Sequence, residues 1–419
     1  MHNQHDTTPA LATPLAKVIA RNTLLLAASM AALYAMGQLV LAIAAATFAT
    51  LTGAPLLAGM GPALFMLSGS IAALLGGRAM DRFGRVPVLA AGFGIGVCGA
   101  LITALGIRQL ALSLVVTGFI LLGIGFGIGL LSRVAAADMY TPERRAWGIA
   151  LVLFGAVFGA LLGPLVFMPM LQGSATQLPA APWYGAADFM LAGLLLVLCV
   201  RPDPRRIAEM MAAQTASGTP APAAPLKEIL RRPGVPTAII VAVTSYAVMV
   251  GMMAMIGYLM TGHGHTQQSV FPVLSAHFMG MFALVLLVGK LIGRIGRPRA
   301  MQMGLGVLAV SVLALMAVHS VALNALALFG IGLGWNIAFV AATAELTALT
   351  SATERGSVIG FSDLLAGASG AAITLLAGVA ANTIGLMGLS IAGAALVLLP
   401  VVLNRRNKEN VLSNQIRAP

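Results

Sequence analysis

The chain has 419 residues, of which 59% are hydrophobic and 9% are charged, and its mean hydropathy is +0.96. This composition excludes a soluble globular domain, because apolar blocks of about 20 residues recur and each can cross a hydrocarbon core. Inside a bilayer the backbone must satisfy its own hydrogen bonds, so these blocks are expected to be helices. The net charge of +12 predicts contact with anionic lipid head groups and not with nucleic acid.

Twelve membrane spans are predicted along the chain. They cover residues 23–47, 56–77, 88–106, 111–132, 146–168, 183–200, 237–260, 268–290, 300–318, 322–346, 357–380 and 384–403. With both termini cytoplasmic, every lysine and arginine except Arg108 lies in a cytoplasmic loop or tail or at a cytoplasmic helix end, as the positive-inside rule requires. The sequence therefore predicts a multi-pass protein of the bacterial plasma (inner) membrane, with the lipid bilayer as a partner.

The longest loop divides the spans into six and six. It is rich in charge, Ser and Thr and contains a Pro/Ala tract, so it is predicted to be a flexible linker. The chain is accordingly divided into a cytoplasmic tail (1–22), a six-helix bundle (23–200), a cytoplasmic linker (201–234), a second six-helix bundle (235–403) and a cytoplasmic tail (404–419).

The two halves are related in sequence. "GGRAMDRFGRVPVL" follows the second span and "GKLIGRIGRPRAM" follows the eighth, and a shift of 212 residues superposes Gly77 on Gly289, Arg82 on Arg294, Gly84 on Gly296 and Arg85 on Arg297. Glu143 and Glu354 match at nearly the same shift. Duplicated halves are typical of secondary transporters, whose sites lie near the midplane between the halves.

The string "GGRAMDRFGR" resembles the loop signature of the major facilitator superfamily. The resemblance extends over essentially the whole chain and implies an all-α membrane protein, with twelve helices in two pseudo-symmetric six-helix bundles. It also implies a conformational lock formed by Gly77, Asp81, Arg82, Gly84 and Arg85. The glycines would allow a tight turn and close backbone approach, while Asp81 would pair with a neighbouring arginine or cap a helix. The alternative is that these arginines only anchor helix ends. In the second copy Gly293 replaces the acid.

Four soft metal donors lie at helical spacing in the seventh and eighth spans. Residues four apart share a helix face, so Met249 pairs with Met253 and His277 pairs with Met281. Because the two helices are antiparallel and joined by a short turn, Met253 and His277 are predicted at one depth. Met249 and Met281 would lie about one turn deeper. Whether the two faces meet does not follow from the spacing.

Thioethers are neutral, soft donors that bind Cu(I) and are poor ligands for Mg, Ca or Mn. Zinc sites usually add a thiolate or carboxylate, which does not accompany this set. Two interpretations of the residues remain open. They form a metal site, or the methionines fill an irregular core and the histidine bonds a neighbouring helix.

The strings "MVGMM" and "HFMGM" resemble the Met-x-x-x-Met and His-x-x-x-Met motifs of CcoA-like transporters, a branch of the same superfamily. "GLGWNIAF" and "ERGSVIGFSDLLAG" are similar to the same branch. The resemblance implies copper import for assembly of cbb-type cytochrome c oxidase, with copper as the transported substrate and no bound cofactor. Met249, Met253, His277 and Met281 would be the ligands, and copper chaperones are candidate downstream partners.

Other polar residues are candidates for supporting roles. His263 and His265 lie in the periplasmic turn and would pass a metal inward, unless they only form a polar turn. Asp363 and Asn336 lie within the eleventh and tenth spans. Asp363 would carry a coupling proton or attract the cation, or else make an interhelical hydrogen bond.

Three other functions compete with copper import. Riboflavin or a similar flat molecule would use Trp335, Asn336 and Tyr246 for stacking and hydrogen bonding. Drug efflux is favoured by "GAVFGALLGP", but a trailing glycine pair is missing and Phe119 stands where exporters often carry an arginine. A sensor is disfavoured because no soluble domain is attached. The sequence does not predict an enzyme, since it shows no nucleophile–base arrangement or cofactor loop.

Overall fold

The computed structural model describes residues 13–141, 144–171, 179–215, 224–317, 320–351 and 354–400. Every regular element in these ranges is helical. The helices are α1 (Thr13–Thr52), α2 (Met60–Phe83), α3 (Arg85–Arg108), α4 (Leu112–Gly129), α5 (Ser132–Asp138), α6 (Arg145–Leu171), α7 (Ala181–Leu198), α8 (Pro204–Thr215), α9 (Leu226–Ile229), α10 (Val235–Gly262), α11 (Val270–Phe282), α12 (Val285–Ile295), α13 (Arg297–Ala314), α14 (Val321–Leu349), α15 (Arg355–Thr383) and α16 (Gly385–Pro400).

Twelve of these units match the predicted spans. Within the described residues, nine spans are long and apolar enough to cross a membrane, and a bent pair makes ten. The remaining two are α13, whose first turn carries two arginines, and the shorter helix α16. The fold class predicted from the sequence is therefore confirmed.

Some details differ from the predicted spans. Helix α1 begins at Thr13, so part of the predicted N-terminal tail is helical. The eighth span is bent by 48° between α11 and α12, where the backbone of Leu284 leaves the helical region. Part of the predicted flexible linker also forms a helix, α8, and its Ile207 is fully buried.

The molecule has two chemically different ends. We call the end with Arg85, Arg205 and Arg232 the basic end, and the end with Gly53 and Gly264 the far end. Arg108 lies at the far end, where α3 finishes. These ends correspond to the predicted cytoplasmic and periplasmic sides.

The two halves are in close backbone contact near the far end. A Cβ atom on Gly257 of α10 would collide with the carbonyl oxygen of Ala42 on α1. A Cβ atom on Gly378 of α15 would likewise collide with the backbone of Gly59, so side chains larger than glycine would force the bundles apart. Near the centre, the Ser275 hydroxyl donates to the Ala160 carbonyl across the halves at 2.6 Å.

Candidate transport site

The predicted lock is assembled around Arg85. Its guanidinium pairs with Asp81 at 2.8 Å and with Asp138 at 2.6 Å, and its side chain is 14% exposed whereas that of Asp81 is 74% exposed. Gly84, between α2 and α3, has a φ of +96°, which favours glycine. The predicted Asp81–Arg85 pair is therefore present, and it lies within the first half. Its role as a lock stays a prediction.

The other two lock residues do less than expected. Arg82 lies over the ring of Phe83, 5.1 Å from the ring centroid, and makes no ion pair with the part of the chain that the structure describes. A Cβ atom on Gly77 would meet open space, so the close backbone approach predicted at Gly77 is wrong. The reason is that α2 faces away from its neighbours at this position.

All four predicted metal donors are buried: Met249, Met253, His277 and Met281. His277 is the most informative because it is completely inaccessible. Its Nδ1 lies 2.8 Å from the carbonyl oxygen of Leu328 on α14. A carbonyl can only accept, so Nδ1 carries the proton and Nε2 keeps its lone pair. Nε2 is buried and has no hydrogen-bond partner among the described residues.

Helix α14 packs against the donor pair of α11. On the α11 side, a Cβ atom on Gly332 would collide with the His277 carbonyl and contact the Met281 side chain. His277 and Met281 therefore pack along the stretch of α14 between Leu328 and Gly332.

On the α10 side, the ring contacts of Tyr246 show which part of α14 lies at the same depth in the bundle. Its ring centroid lies 6.3 Å from that of Trp335 and 6.4 Å from that of Phe339, both on α14. Met253 is two helical turns further toward the far end on the same face. Two turns along the antiparallel α14 lead from Trp335 and Phe339 to Leu328 and Gly332. Counting turns in this way puts Met253 level with the part of α14 that His277 contacts, and the meeting of the two donor faces stays a prediction.

A row of aromatic rings crosses the centre of the molecule beside these donors. Consecutive ring centroids are 5.1 to 6.4 Å apart, in the order Phe65, Phe126, Tyr34, Phe282, Trp335, Phe339 and Tyr246. The row begins in the first half and ends in the second. On α14, Trp335 Nε1 and Asn336 Nδ2 are buried donors without a partner in the described chain. The role of Asn336 as a cavity residue stays a prediction.

The predicted entry residues lie at the far end. His263 lines a cavity of about 560 Å³ with Thr50, Gln267 and Asn382, between the ends of α1, α10 and α15. Its Nδ1 lies 2.7 Å from the carbonyl oxygen of Leu259. His265 is not among the lining residues, so the structure does not bring the two histidines together in this cavity.

Asp363 faces a residue that no sequence motif marks. Its carboxylate lies 3.9 Å from the guanidinium of Arg133 on α5, and the two groups belong to different halves. In the sequence, Arg133 is only one of the basic residues at the cytoplasmic helix ends. Among the described residues this is the ion pair that joins the halves near the basic end.

The donor chemistry at the centre is soft and neutral. Among the described residues no group of three or more His, Cys, Asp or Glu side chains is placed to hold a metal ion. Hard cations such as Mg²⁺ and Ca²⁺ prefer several oxygen ligands, which this site does not provide. Three thioethers and one imidazole suit Cu(I).

Two packed six-helix halves are the architecture of many secondary transporters. The family model of the Major Facilitator Superfamily matches residues 25–375, and the chain belongs to that family. It is 32% identical over 365 residues to the uncharacterized MFS-type transporter YdeG of Bacillus subtilis (strain 168), and the match covers 85% of each protein. It is 28% identical over 366 residues to the riboflavin transporter RfnT of Brucella anthropi, covering 85% of this chain and 89% of RfnT.

Solved structures show the same fold. The xylose transporter XylE from E. coli, in a partially occluded inward-open conformation, superposes with a TM-score of 0.69 at 16% identity. The match covers 91% of this chain and 97% of XylE. The family and fold are those of membrane transporters and not of enzymes.

Proposed function

We propose that this transporter imports copper, bound as Cu(I) by Met249, Met253, His277 and Met281. The observation that carries the proposal is the state of His277. Its Nε2 lone pair is buried and unpartnered among the described residues, while Nδ1–H is held by the Leu328 carbonyl. Metal-binding histidines are usually oriented in this way, by a hydrogen bond from the second ring nitrogen to a carbonyl or carboxylate.

The neutral donors also fit a transport cycle. Neutral thioethers hold a single positive charge without a counter-charge, so the ion can leave when the halves move. Entry would occur from the far end, past His263. Release would occur at the basic end, where the Arg133–Asp363 pair would have to separate. The inward direction, the bacterial inner membrane, the supply of copper to cytochrome oxidase assembly and the downstream chaperones come from the resemblance to CcoA-like transporters.

The test is copper accumulation in cells that express matched variants under limiting copper. His277→Asn keeps an N–H group for the Leu328 carbonyl but removes the Nε2 lone pair. Met253→Leu removes a thioether at nearly constant volume. Met252→Leu is the matched control, because Met252 is equally buried on the same helix and its sulfur approaches Gly393 of α16 instead.

We expect His277→Asn and Met253→Leu to lose most copper accumulation, and Met252→Leu to keep it. Equal membrane levels of the three variants, measured by immunoblot, make the comparison valid. Wild-type accumulation in both site variants would show that the sulfur and imidazole groups only pack the core.

A second candidate function is transport of a flat aromatic molecule such as riboflavin. The aromatic row supports it, because stacked rings favour planar ligands, and so do the buried donors Trp335 Nε1 and Asn336 Nδ2, which lack a partner in the described chain. The similarity to RfnT points to the same class of substrate.

Uptake of labelled riboflavin separates the two functions. Trp335→Leu should abolish riboflavin uptake if the rings form the site, whereas Trp335→Phe should keep the stacking and lose one hydrogen bond. His277→Asn should leave riboflavin uptake nearly unchanged. The opposite pattern, copper loss with His277→Asn and no riboflavin uptake by the wild type, favours the metal.

A further inference from the structure

A second cavity, far from the transport site, lies at the basic end where the linker begins. It has a volume of about 540 Å³ and lies where α2 and α7 end and α3 and α8 begin. Four arginines and two carboxylates line it, which leaves a net charge of +2: Arg82, Arg201, Arg205, Arg206, Asp203 and Glu209.

The two carboxylates are already engaged. Asp203 accepts hydrogen bonds from the backbone N–H groups of Arg85 and Val86, at 3.2 and 2.9 Å, and so caps α3. Glu209 pairs with Arg205 at 2.9 Å. Neither acid is therefore free to neutralise the remaining arginines.

Three of the arginines make no ion pair among the described residues: Arg82, which lies over the ring of Phe83, Arg201 and Arg206. Within the described residues the side chains of Arg201 and Arg206 make no ion pair or hydrogen bond, and both residues are exposed. The Arg201 carbonyl accepts a hydrogen bond from Arg21, which fixes the backbone at the cavity wall. The cavity is thus a preformed site for an anion with at least one phosphate-like group.

The surroundings of the cavity identify the source of that anion. Phe83 is 61% exposed, Leu198 is 44% exposed and both line the cavity, while Met210 of α8 is 47% exposed nearby. Helices α2 and α7 are membrane spans that end here, so these apolar side chains lie at the bilayer boundary. A free phosphate would leave these apolar side chains exposed, whereas the acyl chains of a lipid would cover them.

We propose that this cavity binds the phosphate group of an anionic phospholipid, with Arg201 and Arg206 as its main contacts. Arginines near the membrane surface attract anionic lipids, and basic pockets between helix ends bind their head groups. The cavity also contacts the predicted lock, through Arg205 and Asp81. Arg205 donates to the backbone carbonyl of Asp81 at 2.7 Å, so a lipid that orders α8 would also stabilise the end of α2.

The proposal is tested by native mass spectrometry of the purified full-length protein with dioleoylphosphatidylglycerol or dioleoylphosphatidylcholine. The test variant is Arg201→Gln with Arg206→Gln. The control is Arg294→Gln with Arg299→Gln, which removes the same charge around the α12–α13 turn of the second half, the counterpart of the α2–α3 turn, and both side chains there are exposed. All four residues are surface groups, so folding should be retained.

We expect the wild type and the control to bind phosphatidylglycerol in preference to phosphatidylcholine. The test variant should bind phosphatidylglycerol roughly tenfold or more weakly, because two cationic contacts are lost. Equal loss in the control would show a diffuse charge effect and overturn the site. Displacement of the lipid by excess inorganic phosphate would show a small-anion site and overturn the assignment to a lipid.

Discussion

The same helix contact occurs once in each half of the molecule, with different chemistry. In the first half, a Cβ atom on Gly123 of α4 would collide with the Phe65 carbonyl of α2. In the second half, a Cβ atom on Gly332 of α14 would collide with the His277 carbonyl of α11. Phe65 packs its ring on Phe126 at 5.1 Å, whereas His277 bonds Leu328 and keeps one nitrogen free. The duplicated backbone contact provides the scaffold, and substitution at one position of one copy provides the candidate ligand.

The two copies of the loop motif differ in a similar way. In the first copy Arg85 binds two carboxylates, Asp81 and Asp138. In the second copy Gly293 stands in place of the acid, and Arg297 pairs with Glu345 of α14 at 2.5 Å. The equivalent arginine therefore pairs with an acid of the equivalent membrane span in both halves, Asp138 in the first and Glu345 in the second, whereas the pair with Asp81 has no counterpart.

The largest expected effect comes from making the two halves alike. His277→Phe places the residue of the first half into the second, and copper accumulation should fall at least about tenfold, since the one nitrogen ligand is lost. The backbone frame already accepts Phe at the equivalent position, so the variant should still reach the membrane. Metal analysis of cells with matched membrane levels gives the measurement. Phe65→Leu, with the same assay, is the control and should leave most accumulation intact.

The next largest effect tests the two equivalent glycine contacts, at Gly332 and Gly123. Gly332→Ala and Gly123→Ala should each destabilise the folded protein by about 1–3 kcal/mol, because the added methyl meets backbone atoms. Gly306→Ala and Gly94→Ala are the matched controls, since a Cβ atom there meets open space. Each control should be neutral or slightly stabilising, because alanine favours helix.

Thermal unfolding of the detergent-solubilised protein measures all four glycine variants. If only one of Gly332→Ala and Gly123→Ala lowered the melting temperature, the two contacts would not be equivalent, and the duplication would be limited to sequence.

A smaller difference in transport activity is expected between variants of the two equivalent arginines, Arg85 and Arg297. Arg85→Gln leaves two carboxylates without their partner, and Arg297→Gln leaves one. Arg85 is also less exposed, at 14% against 45% for Arg297. We expect transport to fall several-fold in Arg85→Gln and less in Arg297→Gln. Equal effects in a transport assay would mean that the second acid at Arg85 contributes nothing.

The smallest effect concerns the contact of the linker with the second half. Arg232 binds Glu354 through two hydrogen bonds of 2.8 Å and holds the pKa of that carboxyl well below its usual range. A lowered pKa stabilises the folded state at pH values above the ordinary glutamate pKa, and this contribution is lost as the pH falls.

The melting temperature of Glu354→Gln should therefore lie slightly below that of the wild type at pH 7. The gap should narrow as the pH drops below about 4.5, the ordinary pKa of the glutamate side chain. A gap that stays constant down to the lowest pH at which the protein remains folded would contradict the assignment. Glu209→Gln is the control and should change the melting temperature little, because Glu209 is 61% exposed and its partner Arg205 is 41% exposed.

The sequence predicted the helices well because hydropathy and charge act over whole segments. The depth predicted for the four donors follows from helix geometry alone and stays a prediction. What the sequence could not predict depends on how helices face each other in space. Nothing in the sequence showed that α14 lies against His277, or that Arg133 reaches Asp363 across the halves.

The bend between α11 and α12 also could not be predicted from the sequence. No proline marks it, and Gly280 precedes it by one turn, against the Phe329 carbonyl. At Gly77 the sequence predicted a contact that the structure does not have. The motif predicted close packing there, yet glycine in a motif does not reveal which neighbour, if any, will approach.

The neutrality of the four donors has an electrical consequence. A Cu(I) ion held by three thioethers and a neutral imidazole brings one uncompensated positive charge into the membrane interior. Moving that charge across the membrane changes its free energy by about 2.3 kcal/mol for every 100 mV of membrane potential. With the basic end facing a negative interior, the voltage alone would pull the ion inward, and the rate of uptake should follow the potential even where no second ion is transported.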